Sequence, residues 1–324
     1  MRKHILGTCL AILAVISAPI AVQAQAKDFP SEPIRIINPF APGGSTDVVA
    51  RIFAQFLTEL WGQSVVVESR TGAGGVVGST VTANAAPNGY TIQLASSSVT
   101  IAPSLNKSLP YETLDFTPII DIGDAPLFLV VNPSLKVSTM KELIALARAK
   151  PGELNYGSSG NGTSIHISSE LFKQMTGVDI KHVPYRGIAP ALNDLLADRV
   201  QMMVVDVSGL SRIQSGQLKA LAVIGERRTK TLPDVPTIAE AGLPEYKINQ
   251  WYGVIGPKGI PKDVVAKLND GFNRALKDPK LVERLAALGI EPVGGSPEAF
   301  GKVLRDDVRL YDEIVKRGDL KADN

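Results

Sequence analysis

The chain has few of the residues that usually carry covalent or metal chemistry. It contains one cysteine, two tryptophans and three histidines among 324 residues. The cysteine, Cys9, lies in an apolar N-terminal segment that we expect to be removed, so the remaining chain has no disulfide, thiol nucleophile or thiolate metal ligand. Its stability must then come from a hydrophobic core, which about 300 residues usually build as two domains.

The N-terminal segment has the order of a secretory signal. Arg2 and Lys3 precede an apolar stretch, Ile5–Val22, and small residues follow at Ala24 and Ala26. This order predicts a cleavable signal peptide over residues 1–26, cut after Ala24 or Ala26, and therefore export. An uncleaved anchor helix is the alternative, because the stretch is nearly long enough to span a bilayer. A proline inside the stretch and the small residues at its exit argue against an anchor.

Charge and hydropathy limit the partners of the exported chain. The formal net charge is +2, and Arg2 and Lys3 account for it because no acidic residue precedes Asp28. A neutral chain has no large positive field for nucleic acid or an anionic membrane surface. No later segment is apolar for long enough to span a membrane. We therefore expect a soluble monomer that binds no nucleic acid.

Short β-branched runs alternate with amphipathic stretches from Ile34 onward, which predicts an α/β fold with mostly parallel strands. The predicted strands are Ile34–Ile37, Val65–Glu68, Thr91–Ala95, Leu127–Val131, Ile180–Val183, Gln201–Val205 and Lys219–Ile224. The predicted helices are Val48–Leu60, Met140–Ala149 and, as a helical C-terminal tail, Lys262–Lys277, Leu281–Leu288 and Pro297–Arg317. Apolar residues at helical spacing in the first helix are expected to face the core; they are Val48, Ile52, Phe56 and Leu60.

Two extended stretches, Ile119–Val131 and Lys247–Gly256, are the best candidates for chain crossings between lobes. A chain that crosses twice leaves its first lobe discontinuous. We predict a first lobe of residues 27–124 plus 247–324, a second lobe of residues 125–246, and a ligand cleft between them.

Two loops rich in glycine and hydroxyl residues each lead from a strand into a helix. The first is Asn38–Asp47 and the second is Gly157–Ser164. Such loops point backbone N–H groups outward at the positive end of a helix, which suits an anion. For one loop alone, ordinary helix capping is the better explanation. Two loops half a chain apart favour two lobes that close on one ligand. Asp47 would compete with an anion for the same donors, so we expect it to brace the loop or cap the helix.

Other glycine- and serine-rich turns also follow strands. Gly72–Gly78 lacks the glycine spacing of a dinucleotide fingerprint, and the chain has no phosphate-loop lysine motif. No nucleotide or other cofactor is therefore predicted. This segment and Ser96–Ser98, with Ser97 at its centre, are expected to form walls of the cleft.

Two histidines remain beyond the signal, and neither has a partner at metal-ligand spacing. His166 lies one turn into the helix after the second loop, where it can donate to an anion. His182 lies in a predicted strand and is interpreted as structural. Gly157–Gly160 lacks the spacing of a serine-hydrolase elbow, so no catalytic residue and no metal site is predicted.

Three further candidates lie at strand ends. Tyr185 and Arg186 follow one predicted strand, and the forked guanidinium of Arg186 suits a carboxylate. A solvated surface arginine fits the same spacing equally well. Asp206 ends another predicted strand, where ligand-site polar groups of open α/β sheets collect, and it could equally cap the helix that follows.

Several ordered motifs resemble the substrate-binding proteins of tripartite tricarboxylate transporters, also called the Bug receptor family. They are Pro39–Arg51 (PFAPGGSTDVVAR), Asn155–Thr163 (NYGSSGNGT) and His182–Gly187 (HVPYRG), extended by Leu232–Thr237, Glu240–Pro244 and Trp251–Gly253. The resemblance covers nearly the whole chain beyond the signal and implies a periplasmic Venus-flytrap receptor (type II) with two α/β lobes. It also implies that donors from the two loops grip one carboxylate, on Phe40, Gly43, Gly44, Ser45, Ser159, Asn161, Gly162 and Thr163.

The sequence thus predicts a binding protein, without catalytic activity, that captures a small organic carboxylate and delivers it to separate membrane transporter subunits. A ligand-sensing adaptor for a membrane sensor and an enzyme on the same scaffold stay open as alternatives. No sequence motif identifies which acid is bound: dicarboxylates, tricarboxylates, aromatic acids and acidic amino acids are all candidates.

Overall fold

The computed structural model describes residues 29–318, apart from 107, 226 and 249, and the predicted signal peptide lies outside the described residues. The strands are β1 (Ile34–Asn38), β2 (Val65–Ser69), β3 (Thr91–Ser96), β4 (Thr117–Asp124), β5 (Leu127–Val131), β6 (Asn155–Ser158), β7 (Lys181–Pro184), β8 (Met202–Val205), β9 (Lys219–Ile224), β10 (Trp251–Gly256) and β11 (Glu291–Pro292). The helices are α1 (Ser45–Trp61), α2 (Val76–Ala83), α3 (Ser98–Leu105), α4 (Met140–Ala149), α5 (Ser164–Thr176), α6 (Ile188–Leu196), α7 (Leu210–Gln214), α8 (Lys262–Ala275), α9 (Pro279–Ala287) and α10 (Pro297–Gly318). In this part of the chain, no helix is long and apolar enough to cross a membrane.

The described strands form two sheets, each flanked by helices. The first sheet has the order β11-β4-β10-β3-β1-β2 and the second has the order β7-β6-β8-β5-β9. The predicted two-lobed α/β class is confirmed. The sheets are mixed and not mostly parallel, because β4, β10, β5 and β9 run antiparallel to their neighbours. These four strands flank the two passages of the chain between the sheets, from 124 to 127 and from 224 to 251.

The parallel strands decide where the site can lie. β1 pairs in parallel with β2 and β3, and β6 pairs in parallel with β7 and β8. Helix α1 follows β1, α3 follows β3, α5 follows β6 and α6 follows β7. Ligands of open α/β sheets bind outside the carboxyl ends of the strands. The starts of these four helices are therefore the part of the fold to inspect.

The buried face of α1 differs from the predicted one. Val48 is 36% exposed, whereas Val49, Phe53 and Leu57 are completely buried. The prediction that Val48 faces the core was wrong. Because the apolar residues of α1 come in adjacent pairs, their spacing defines a wide apolar arc but does not fix its centre.

Asp121 on β4 is a buried carboxyl group in the first lobe. It is 7% exposed, and its Oδ1 has no hydrogen-bond partner among the described residues. Burial, reinforced by the negative charge of Asp124, raises the pKa of Asp121 to about 7. The folded protein therefore holds this proton more tightly than the unfolded chain, in which the pKa is about 3.9. The stability that this group contributes is complete below about pH 4 and is lost as the pH rises to about 7.

We expect Asp121→Asn to stabilise the protein at pH 8, because it removes a buried charge that the wild type carries there. The gain in free energy of unfolding should be on the order of 4 kcal/mol at pH 8 and should disappear near pH 4. Thermal denaturation across this pH range measures it, with the exposed Asp234→Asn as the control variant. A gain that stays constant with pH would contradict the assignment.

Candidate ligand-binding site

The loop before α1 is held in shape by two buried side chains. Asn38 donates from Nδ2 to the carbonyl of Phe40 at 2.9 Å and accepts from Thr46 Oγ1 at 2.8 Å. Asp47 Oδ2 accepts from the N–H of Gly43 at 3.0 Å and from Arg51 Nε at 2.9 Å. The prediction that Asp47 braces the loop is confirmed. Helix α1 begins at Ser45, and its N-cap residue, Gly44, offers no side-chain cap.

The loop before α5 uses several of its hydroxyl groups internally. Thr163 Oγ1 donates to the carbonyl of Gly160 at 2.8 Å and accepts from the N–H of His166 at 3.3 Å, so Thr163 is an ordinary helix cap. The Gly162 N–H donates to His166 Nδ1 at 3.2 Å. The Gly160 N–H donates to Ser158 Oγ at 3.1 Å. For this loop, capping explains part of the composition that suggested an anion site.

Three aromatic rings, those of Tyr156, His182 and His166, stack on one another beside the second loop. His182 lies between Tyr156 and His166, with ring centroids 4.7 Å and 4.3 Å away. His182 Nε2 is 2.6 Å from Ser158 Oγ. His166 is completely buried. The contacts of both histidines therefore fix the loop's position.

A cleft lies between the two lobes, where the two loops meet. Its walls from the first lobe are Phe40, Gly44, Ser45, Thr46, Ser96, Ser98, Gln250 and Tyr252. Its walls from the second lobe are Ser159, Ser164, Ile165, Ile188 and Asp206. We call this space the central pocket. Among its lining residues there is no lysine, arginine or histidine, and Asp206 is the only carboxylate.

The predicted site residues divide into those that line the central pocket and those that do not. Phe40, Gly44, Ser45, Ser159 and Asp206 line it. The others lie outside its walls: Gly43, Ser97, Asn161, Gly162, Thr163, His166, Tyr185 and Arg186. Ser97 is buried and donates from Oγ to Gln250 Oε1 at 2.8 Å. Tyr185 donates to Asp194 at 2.8 Å, and Arg186 is exposed.

Four described helices begin at the central pocket. Residues at or next to the starts of α1, α3, α5 and α6 line it, namely Gly44, Ser98, Ser164 and Ile188. Of these helices, α1, α3 and α6 have no side-chain cap. The first N–H groups of a helix lack intrahelical partners and carry a partial positive charge of about half a unit. These N–H groups bring partial positive charge to the pocket without a cationic side chain, and the Asp206 carboxylate opposes it from one wall.

Asp206 connects the two lobes across the pocket. Its Oδ1 accepts from the N–H of Ser208 at 3.0 Å and from Ser208 Oγ at 2.6 Å, which caps the short turn that follows β8. Its Oδ2 accepts from Ser45 Oγ and, at 3.3 Å, from the Tyr252 hydroxyl, both in the first lobe. Burial, together with the Asp206 carboxylate, raises the pKa of Tyr252 well above its ordinary value, so this hydroxyl remains a donor.

Several pocket residues were not predicted from the sequence. Tyr252 and Gln250 belong to the segment interpreted as a chain crossing, and Tyr252 is completely buried as a core residue would be. Its hydroxyl reaches the pocket only because β10 lies in the middle of the first sheet, between β3 and β4. No local sequence pattern carries that information.

The lobes touch at glycines. A Cβ on Gly74 would lie 2.1 Å from the carbonyl oxygen of Asn161 in the second lobe, and a Cβ on Gly187 would lie 2.9 Å from Ala41 Cβ in the first. A Cβ on Gly44 would lie 3.1 Å from Ile188 Cγ2. The described conformation is therefore closed, with the backbones of the two lobes in direct contact.

Comparison with known proteins supplies relatives of this chain. Residues 49–320 match the family described as tripartite tricarboxylate transporter family receptor. The chain is 40% identical to Protein BugT of Bordetella pertussis over 313 residues, which are 95% of this chain and 96% of that protein. It resembles the structure of R. palustris Rpa4515 with adipate, with 35% identity, a TM-score of 0.88, and coverage of 91% of this chain and 99% of that one. It also resembles MatC from Rhodopseudomonas palustris with bound malate, with 30% identity, a TM-score of 0.85, and coverage of 89% and 100%.

Proposed function

Because the chain belongs to the tripartite tricarboxylate transporter receptor family, we propose that it captures a small organic carboxylate in the periplasm and delivers it to a membrane transporter of separate subunits. The predicted signal peptide supports the periplasmic location. Adipate and malate, which accompany two of its structural relatives, are both small carboxylates. In this proposal the protein binds its ligand and changes no covalent bond.

The convergence of four helix starts on the central pocket carries the proposal. A carboxylate placed there accepts hydrogen bonds from the uncapped first turn of α1 and from hydroxyl groups of both lobes, such as Ser98 and Ser159. Each charge-assisted bond of this kind contributes about 1.5–3 kcal/mol, so a few of them hold an anion without a cationic side chain. The predicted residues outside the pocket walls, such as Thr163 and His166, would act by holding the second loop in place.

Lobe closure would be the event that the transporter detects. We propose a first lobe of residues 27–124 plus 247–324 and a second lobe of residues 125–246, which correspond to the two sheets. A ligand that contacts both loops makes contacts in the closed form that it cannot make in the open form. The free energy of these additional contacts shifts the equilibrium toward the closed form. The surface near the cleft mouth then differs between the loaded and the empty receptor.

A thermal-shift screen tests the proposal directly. The panel contains linear dicarboxylates and their ω-hydroxy analogues, hydroxy acids, citrate, aromatic acids and acidic amino acids. Sulfate and phosphate serve as inorganic anions, and the methyl ester of each active acid serves as its uncharged control. We expect at least one acid to raise the unfolding temperature and its ester to lose the effect. If no acid stabilises the protein, or if an ester does so as well as its acid, the proposed function is wrong.

A further inference from the structure

A second cavity adjoins the central pocket inside the first lobe. It shares Phe40, Ser96 and Ser98 with the central pocket. Its remaining walls include Gly75, Ser79, Gln93 and Tyr111, with no residue from the second lobe. We call it the side pocket. A ligand whose carboxylate occupies the central pocket has this space available for its distal end.

Gln93 supplies an unsatisfied hydrogen-bond acceptor in the side pocket. It lies on β3, is 1% exposed, and donates from Nε2 to Ser79 Oγ at 3.1 Å. Its Oε1 has no hydrogen-bond partner among the described residues. Buried polar atoms are almost always paired, so an unpaired amide oxygen in the wall of a cavity indicates a partner that the protein itself does not provide.

Tyr111 supplies the complementary donor. Burial raises the pKa of Tyr111 above its ordinary value, so the phenol stays protonated. The Tyr111 hydroxyl group lines the side pocket and carries one proton, which it can donate to a group inside the pocket.

The side pocket offers little to a second negative charge. Among its described lining residues there is no lysine, arginine or histidine. The starts of α2 and α3 also reach it. At α2, the N–H groups of Gly75 and Val77 both donate to the carbonyl of Gly72. The uncapped start of α3 is shared with the central pocket, where it serves the ligand's first carboxylate. A carboxylate placed there would meet the Gln93 oxygen without a countercharge, whereas a group with one donor and one acceptor satisfies both Gln93 and Tyr111.

We propose that the side pocket receives the distal end of the ligand and selects a neutral hydroxyl or carboxamide over a second carboxylate. The preferred substrates are then small monocarboxylates with a polar, uncharged far end. This inference rests on the proposed function, because it requires a carboxylate in the central pocket.

Titration calorimetry on the full mature protein compares acids of equal length. The pairs are 4-hydroxybutyrate with succinate, 5-hydroxypentanoate with glutarate, and 6-hydroxyhexanoate with adipate; hexanoate serves as an acid without a distal polar group. We expect the hydroxy acid to bind at least about tenfold more tightly than its dicarboxylate in the pair of best-fitting length. If the dicarboxylate binds equally well or better in every pair, the inference fails while the proposed function stands. If no acid binds, the proposed function fails as well.

Two variants separate the roles of the side-pocket residues. Gln93→Leu removes the acceptor and Tyr111→Phe removes the donor, each with little change of shape. We expect either variant to weaken binding of the preferred hydroxy acid by about tenfold and to leave hexanoate binding within about twofold. Equal losses for both acids in both variants would overturn the inference, since the residues would then act on the pocket as a whole. If Gln93→Leu does not fold, Tyr111→Phe alone decides between these outcomes.

Discussion

Gly44→Asp should abolish carboxylate binding while leaving the protein folded. Gly44 is the N-cap of α1, with φ −80° and no side-chain cap, so any residue can adopt its backbone conformation. Aspartate is among the preferred N-cap residues and would place its own carboxylate on the N–H groups that we assign to the ligand. The variant therefore carries a permanent internal competitor, and we expect an affinity loss of about 1000-fold or more.

Two controls separate this competition from other effects. Gly44→Ala adds a Cβ near Ile188 without a charge, so it reports the steric part alone. Pro261→Asp adds the same acidic cap to α8, whose exposed start has no side-chain cap and lies outside both pockets. Calorimetry with the strongest acid of the thermal-shift panel should show a far larger loss for Gly44→Asp than for either control. If Gly44→Asp binds the acid with wild-type affinity, the N–H groups of α1 do not bind the ligand.

Gly74→Ala should prevent complete closure and so weaken binding about 100-fold. The new Cβ would lie 2.1 Å from the Asn161 carbonyl oxygen. The backbone fixes the position of the Cβ, and the oxygen is itself a backbone atom, so neither can rotate away. In an open form the same methyl group meets no second lobe. We therefore expect small-angle X-ray scattering to show a variant that stays expanded when ligand is added, in contrast to the wild type.

Gly62→Ala is the matched control for this variant. Gly62 has φ +65° and Gly74 has φ +62°, so an alanine at either position bears a similar left-handed strain of about 1–2 kcal/mol. A Cβ on Gly62 would meet nothing within 4 Å. Both variants should thus lose similar stability, and Gly74→Ala alone should lose affinity. Equal affinities in the two variants would show that contact between Gly74 and Asn161 is not needed in the bound state.

Local patterns predicted most of the framework. Strand β5 and helix α4 begin and end where the sequence placed them, because periodicity and flanking turns are encoded within a few residues. The family resemblance, drawn from ordered glycine-rich motifs, is confirmed by the match over residues 49–320. Ser96 and Ser98 line the central pocket as expected, whereas no residue of Gly72–Gly78 does; Gly74 and Gly75 line the side pocket instead.

What the sequence did not predict depends on distant contacts. The centre of the apolar arc of α1 is decided by the helices and strands that pack on it, so Val48 was misplaced. From the sequence, Asp206 could either face the ligand or cap the helix that follows. In the structure it accepts a capping hydrogen bond from the Ser208 N–H and another hydrogen bond from Ser45 in the first lobe. Its position at a strand end does not reveal the contact with Ser45. Gln93 lies within a predicted buried strand, and only the packing around it shows that its amide oxygen is unpaired.

The glycines at the contact between the lobes also limit how the protein can change over generations. Every single-nucleotide change that alters the meaning of a glycine codon either gives a residue with a Cβ or stops translation. At Gly74 and Gly187 that Cβ would collide with backbone or a methyl group of the opposite lobe. Random mutation at these positions can therefore loosen the grip on a ligand but cannot tighten it. New ligand preferences must arise at the side chains that line the two pockets.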